Sequence, residues 1–176
     1  MRALGYDAAD PEKCGQRNGS LASAVATFRP DVVVVLSCLW DIADRQLPGQ
    51  SDWLAPGDPT YTAWTAAYLG ATADTLGSAG ARVQWMTCPH LDPVYHPEVY
   101  MGPPPYPVAD PARVAWLNDQ IRAVTAGRPF VEIVDLAARL AQWPGGDLDP
   151  TRRPDGVHLS DQAAIEVAAW LMTARR

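Results

Sequence analysis

The stretch Val32-Val33-Val34-Val35-Leu36 is an unbroken run of apolar, mostly β-branched residues. Such a run is typical of a strand in a parallel sheet that is covered on both faces, because a half-exposed strand would alternate apolar and polar residues. Two further short runs, Arg82–Met86 and Phe130–Val134, are also rich in β-branched and aromatic residues. The sequence therefore predicts three strands.

Helix patterns with recognisable ends separate the strands. Asp58-Pro59 is typical of an N-cap followed by proline in the first turn, and the pattern that it opens ends at Gly77 and Gly80. Asp110-Pro111 repeats this arrangement, and Ser160 can cap a final helix. The apolar residues at helical spacing in the last two helices are Val114, Leu117, Ile121, Val124, Ala164, Val167, Ala168 and Leu171.

Alternating strands and helices predict an α/β fold, a three-layer α/β/α sandwich with a parallel sheet and right-handed crossovers. Three strands are few for this architecture, and residues 1–17 contain no convincing fourth strand. Residues 1–29 are predicted to form an irregular lead-in and a short helix from Leu21 to Phe28, with Ser20 as its N-cap. The sheet is therefore expected to lack its N-terminal strand or strands.

Ligands of such sheets bind beyond the carboxyl ends of the strands. The candidate ligand-binding segments are therefore 37–41, 87–90 and Asp135, which follow the three strands. A Pro-rich loop at residues 89–109 is expected to lie over the same edge of the sheet. His90, Asp92 and His96 lie in this loop, but their spacing matches no established metal site, so no metal is predicted. The nearby aromatic residues either pack or stack on sugar rings; they are Trp53, Trp64, Tyr95, Tyr100 and Tyr106.

Composition limits the class of protein. The 176 residues, 48% hydrophobic and 19% charged, suit one globular domain that spans residues 1–176. A net charge of -6 without a Lys/Arg run argues against nucleic acid as a partner. No segment is apolar for the roughly 18 residues of a membrane helix, and the N-terminus lacks the apolar core of a signal peptide.

The cysteines give no sign of a disulfide framework or a zinc site. There are three, Cys14, Cys38 and Cys88, which is an odd number, and none of them has CxxC spacing. Cys38 and Cys88 each follow a predicted strand and are expected to pack as small hydrophobic residues.

The tetrapeptide Asp155-Gly156-Val157-His158 precedes the final helix. A carboxylate three residues before an imidazole can fix the tautomer of the ring, so that the other nitrogen can take a proton from a hydroxyl group. The alternative is a purely structural turn, because Pro154-Asp155-Gly156 is a common turn sequence.

With segments 35–41 and 155–160 placed, the chain resembles the SGNH, or GDSL-type, hydrolase superfamily from about Pro30 to the C-terminus. The resemblance is closest to the domains found alone or fused to membrane acyltransferases that modify bacterial surface glycans. It implies a flavodoxin-like fold and Ser-His-Asp acyl transfer without a metal or cofactor. The substrate would be an acyl ester, such as an O-acetyl group on a glycan.

The resemblance also assigns roles to individual residues. His158 would be the general base and Asp155 its orienting carboxylate. Trp40 would take the position of an oxyanion-binding Asn and Cys38 that of a Gly, and Asp41 would belong to the same substrate-binding segment. Trp40 can equally be a rim aromatic residue packed under the Pro-rich loop, and Asp41 can equally cap a helix or turn. An indole N–H also has a different reach from an amide, so this part of the oxyanion hole departs from the family pattern.

The family's Gly-Asp-Ser motif occurs nowhere in the chain. Ser20 and Ser37 are weak candidates, because neither follows a strand in the family's first position. We expect an upstream segment or a fused domain to supply the serine. The alternative is a catalytically inactive, carbohydrate-binding or scaffold domain derived from the same fold. The resemblance favours an extracytoplasmic location.

Overall fold

A computed structural model describes residues 1–7, 17–98 and 101–173. Its sheet contains three parallel strands in the order β1 (Val32–Leu36), β2 (Arg82–Met86) and β3 (Val131–Val134). Val32 pairs with Arg82, and Met86 pairs with Val134, so the three strands end at the same rim. The three predicted strands are confirmed, with β3 one residue shorter than its apolar run.

The described part of the chain contains five helices. They are α1 (Arg17–Phe28), α2 (Pro59–Gly77), α3 (Pro111–Thr125), α4 (Leu136–Ala141) and α5 (Asp161–Thr173), with 3-10 turns at Leu39–Asp41 and Pro107–Ala109. None of the helices in the described ranges is long and apolar enough to cross a membrane.

The helix caps explain where the long helices begin. The Asp58 carboxylate accepts hydrogen bonds from the backbone N–H groups of Thr60 and Tyr61, and the Asp110 carboxylate accepts one from Ala112. Ser160 Oγ accepts a longer bond of 3.4 Å from the backbone of Ala163. These predicted caps are present because each side chain satisfies a first-turn N–H that has no partner within its helix.

Ser20 is not an N-cap, contrary to the prediction, because α1 already begins at Arg17 and Ser20 lies within the helix.

Fewer residues of the apolar stripe predicted on α5 are buried than expected. Ala163 and Val167 are buried there while Ala164 and Ala168 are exposed, so the apolar stripe is rotated by about one residue.

Side-chain alternation along β2 divides the core into two clusters. Val83 and Trp85 point into the larger cluster, which is formed with α1, α2 and α3. Met86 packs against a smaller cluster that includes Leu140 of α4 and Val167 of α5. Because successive strand residues point to opposite faces, helices cover both sides of the sheet. The predicted α/β sandwich is confirmed.

β1 lies at one side of this sheet and is poorly covered there. Val33 and Val35 pack against the larger cluster, whereas Val34 is 40% exposed and Leu36 is 48% exposed. Among the described residues, no strand pairs with the edge of β1 that faces away from β2. An unpaired edge with exposed apolar side chains favours association with another strand.

We therefore expect the 176-residue chain to unfold in a broad transition and to associate as its concentration rises. Sedimentation velocity should show this association, and Val34→Lys together with Leu36→Lys should reduce it because charged residues oppose edge pairing. Phe28→Lys is the matched control, since Phe28 is 78% exposed but lies at the end of α1. A sharp thermal transition of a chain that stays monomeric would contradict this prediction.

Candidate functional site

Asp155 and His158 form a closed hydrogen-bonded unit in the turn before α5. Asp155 Oδ2 lies 2.6 Å from His158 Nδ1. Asp155 Oδ1 accepts hydrogen bonds from the backbone N–H of Val157 at 2.9 Å and of His158 at 2.7 Å. One carboxylate therefore fixes both the turn and the imidazole ring.

The same bonds set the charge of the carboxylate. Partial burial alone would raise the pKa of Asp155, but the hydrogen bonds from the His158 ring and from the two backbone N–H groups outweigh burial and lower it. Asp155 is therefore ionised at neutral pH and acts as an acceptor, which places the imidazole proton on Nδ1. Nε2 of His158 is then the nitrogen that can accept a proton.

The His158 side chain is 83% exposed. Within the described ranges, Nε2 has no hydrogen-bond partner. An imidazole oriented at one nitrogen and open at the other is the arrangement that general-base catalysis requires.

The Pro-rich loop positions the pair at the carboxyl end of the sheet. Asp92 N donates to Gly156 O at 3.1 Å, and Val94 N donates to Asp155 O at 3.0 Å. The loop leaves the sheet directly after β2, so these bonds hold the Asp155–His158 turn near the rim where all three strands end. This is the rim at which parallel sheets bind ligands.

Gly156 is required at the centre of this contact. Its φ is +71°, and a Cβ placed on it would lie 1.7 Å from the carbonyl oxygen of Asp92. Both the left-handed backbone and the close approach exclude a side chain.

Cys38 and Cys88 form a disulfide, which the sequence did not predict. Leu36 and Met86 are paired across β1 and β2, so the two cysteines leave neighbouring strands at equivalent positions, with Cα atoms 5.2 Å apart. An odd number of cysteines did not indicate a disulfide, because the number of cysteines does not show which two of them lie on neighbouring strands. The bridge ties the ends of β1 and β2 together at the rim.

Trp40 and Asp41 occupy the 3-10 turn that follows the bridge. Asp41 Oδ2 accepts a hydrogen bond of 3.1 Å from the backbone N–H of Cys38, so the carboxylate closes the turn. The Cys38 N–H is therefore already bonded within the protein. Trp40 is exposed, and its carbonyl accepts a bond from Arg45.

Neither candidate serine contacts His158. Ser37 is buried at the end of β1, and its Oγ has no hydrogen-bond partner among the described residues. Ser20 is exposed within α1. No serine of the chain follows a Gly-Asp pair. Among the described residues, the only side chain bonded to the His158 ring is that of Asp155.

The described residues contain two further histidine–carboxylate pairs, neither of which the sequence predicted. His90 Nδ1 lies 3.0 Å from Asp147 Oδ2, while His96 Nδ1 lies 3.4 Å from Glu98 Oε1. In the described ranges, no three His, Cys, Asp or Glu side chains gather as metal ligands. No short-range sequence signal could have paired His90 with Asp147, because the two residues are 57 positions apart.

No protein-family model matches the chain, and no curated protein sequence matches it. Its function therefore has to be inferred from the geometry of the rim.

Gly156→Ala should destabilise the protein more than Gly146→Ala does. Gly146 also has a positive φ, +75°, but a Cβ there meets no atom within 4 Å. The control change should cost about 1–2 kcal/mol for the left-handed backbone, and the Gly156 change should add a further ~1–3 kcal/mol for the clash. Urea denaturation measures the free energy of unfolding of both variants. Equal losses would contradict the prediction, because they would show that the backbone at Asp92 moves away from the added Cβ at little cost.

Reduction of Cys38–Cys88 should destabilise the fold. The bridge spans 50 residues of sequence, and a loop of this length corresponds to about 4 kcal/mol of chain entropy in the unfolded state. Cys38→Ser and Cys88→Ser should each lower the melting temperature as dithiothreitol does, whereas Cys14→Ser should leave the bridge intact. Mass spectrometry without reductant that finds Cys38 and Cys88 as unlinked thiols would contradict the assignment.

Proposed function

We propose that this chain is the base-bearing part of an SGNH-type esterase or O-acyltransferase. The observation that carries the proposal is the Asp155–His158 pair, whose 2.6 Å contact orients an exposed imidazole. The bonds from the Pro-rich loop support the proposal, because they hold the pair near the carboxyl rim of the sheet.

In the proposed reaction His158 Nε2 removes the proton of a serine hydroxyl as its oxygen attacks the ester carbonyl. The ionised Asp155 stabilises the imidazolium that forms. The ring then gives this proton to the leaving alcohol, and an acyl-enzyme remains. Water or an acceptor hydroxyl releases the acyl group through the same base, and the serine recovers its proton.

A strand that pairs with the open edge of β1 would supply the serine. This placement is consistent with the exposed Val34 and Leu36, which would then be covered. It would also bring the end of the added strand to the rim that holds His158, provided that the strand is parallel to β1.

The oxyanion would be stabilised differently from the common family pattern. The backbone N–H of Cys38 is bonded to Asp41 and is not available to an oxyanion in this arrangement. Trp40 is exposed at the same turn, and its indole N–H is the donor that we propose for the oxyanion.

The substrate class that we propose is an acyl ester on a glycan. Trp40 and Tyr95 are both exposed and follow β1 and β2, so both can present aromatic faces to a sugar at the rim. The Cys38–Cys88 bridge supports an extracytoplasmic location, because disulfides persist in oxidising compartments.

A glycan-binding domain without catalysis is the second candidate. It is favoured by the absence of a Gly-Asp-Ser motif, together with the exposed aromatic residues at the rim. The two candidates differ in whether His158 is needed for turnover.

Turnover of a short-chain p-nitrophenyl ester by the protein, together with the segment proposed to supply the serine, tests the proposal. His158→Ala should lower kcat/KM by at least about 10³-fold because the base is lost, and Asp155→Asn by about 10²–10⁴-fold because the ring loses its orienting acceptor. His96→Ala is the control, since His96 lies in the Pro-rich loop that bonds to the Asp155–His158 turn but pairs with Glu98.

A fluorophosphonate probe provides an independent measurement. It should label one serine, which the proposal places in the segment that pairs with β1, and His158→Ala should reduce the labelling. Equal turnover by the parent and His158→Ala, with no labelled serine, would remove the enzymatic proposal and favour the binding domain.

A further inference from the structure

Arg153 is a buried cation directly behind the Asp155–His158 turn. The residue is only 1% exposed. Burial lowers the pKa of its guanidinium, while the nearby charges of Asp147 and Asp155 act in the opposite direction. A buried charge is tolerated when its hydrogen-bond donors are satisfied. The partners of Arg153 therefore show what the residue holds in place.

The guanidinium donates to backbone carbonyls of three separate segments. Nη1 donates to His90 O at 2.5 Å and to Asp147 O at 2.9 Å. Nη2 donates to Gly156 O at 3.2 Å and to Val157 O at 2.9 Å, and Nε donates to Val157 O at 3.3 Å. One side chain thus joins the Pro-rich loop, the segment after α4 and the turn that contains His158.

The contact with Val157 acts closest to the imidazole. The Val157 carbonyl belongs to the same peptide unit as the His158 N–H, and this N–H donates to Asp155 Oδ1 at 2.7 Å. The peptide is therefore held at both ends: its C=O group accepts from Arg153, and its N–H group donates to Asp155. It has little freedom to rotate. The position of the peptide in turn sets the direction of the His158 ring.

We propose that Arg153 is a positioning residue for the Asp155–His158 pair. Its planar fork holds donors on three nitrogens in fixed directions towards carbonyls of three segments, whereas the donors of a lysine all lie on one nitrogen at the end of a flexible chain. This proposal rests on the proposed function, since it takes His158 as the base. The structural link between Arg153 and the pair holds without that function.

Nuclear magnetic resonance of the protein labelled with ¹⁵N-histidine tests this role. The parent should give a downfield Nδ1–H resonance from the His158–Asp155 bond, and Asp155→Asn should abolish it. Arg153→Lys keeps the charge and removes the fork, so the resonance should be lost or broadened while the circular dichroism spectrum stays native. Arg153→Met removes both the charge and the fork.

Arg152→Lys is the matched control. Arg152 is the neighbouring residue, but its side chain bonds to Glu166 and stacks on Trp143 instead of entering the turn. This variant should therefore keep the His158 resonance. Loss of the resonance in Arg153→Lys but not in Arg152→Lys supports the proposal.

Two results would overturn the positioning role. One is a parent-like His158 resonance in Arg153→Lys, and the other is a parent protein without any such resonance. If Arg153→Met unfolds, the outcome for Arg153→Lys still decides the question.

Ester turnover separates this proposal from the proposed function. If the protein turns over esters, Arg153→Lys should lower kcat/KM by roughly 10²-fold with little change in KM, because the base is misplaced. If no variant, including the parent, turns over esters while the resonance changes as expected, the acyl-transfer proposal fails and the positioning role stands.

Discussion

The pairing of β2 with both of its neighbours is the constraint on which the rest of the structure depends. It brings the ends of β1, β2 and β3 to one rim and places Cys38 beside Cys88. The loop that leaves β2 then carries backbone donors and acceptors to the Asp155–His158 turn. A shift of one residue in this register would separate the disulfide partners and turn Trp85 out of the core.

Polar contacts at the rim are mostly between a side chain and the backbone. Asp155, Asp41 and Arg153 each bond to main-chain groups, so each of them fixes a loop path. This pattern suits a site built on loops, where no regular hydrogen-bond ladder defines the chain direction. Burial of the Arg153 guanidinium removes its hydrogen bonds to water, and hydrogen bonds to backbone carbonyls of three segments replace them.

The features that could be predicted from the sequence are those that depend on residues close together in the chain. The strands, the caps Asp58 and Asp110 and the Asp155–His158 spacing are local patterns, and the structure contains all of them. The disulfide, the His90–Asp147 pair and the Arg153 contacts were missed because each joins segments that are distant in sequence. Ser20 was misassigned because the helix signal around it has no proline or acidic residue to mark the first turn.

The bonds between Arg153 and the Pro-rich loop also have a consequence for the order of folding. Arg153 and His90 are 63 residues apart, and α3, β3 and α4 lie between them. These contacts join loops, which open more readily than packed strands, so they are expected to form after the sheet and to open before it. Amide hydrogen exchange in the turn would then report a local opening that releases the rim while β2 stays protected. The imidazole would lose its orientation long before the protein lost its fold.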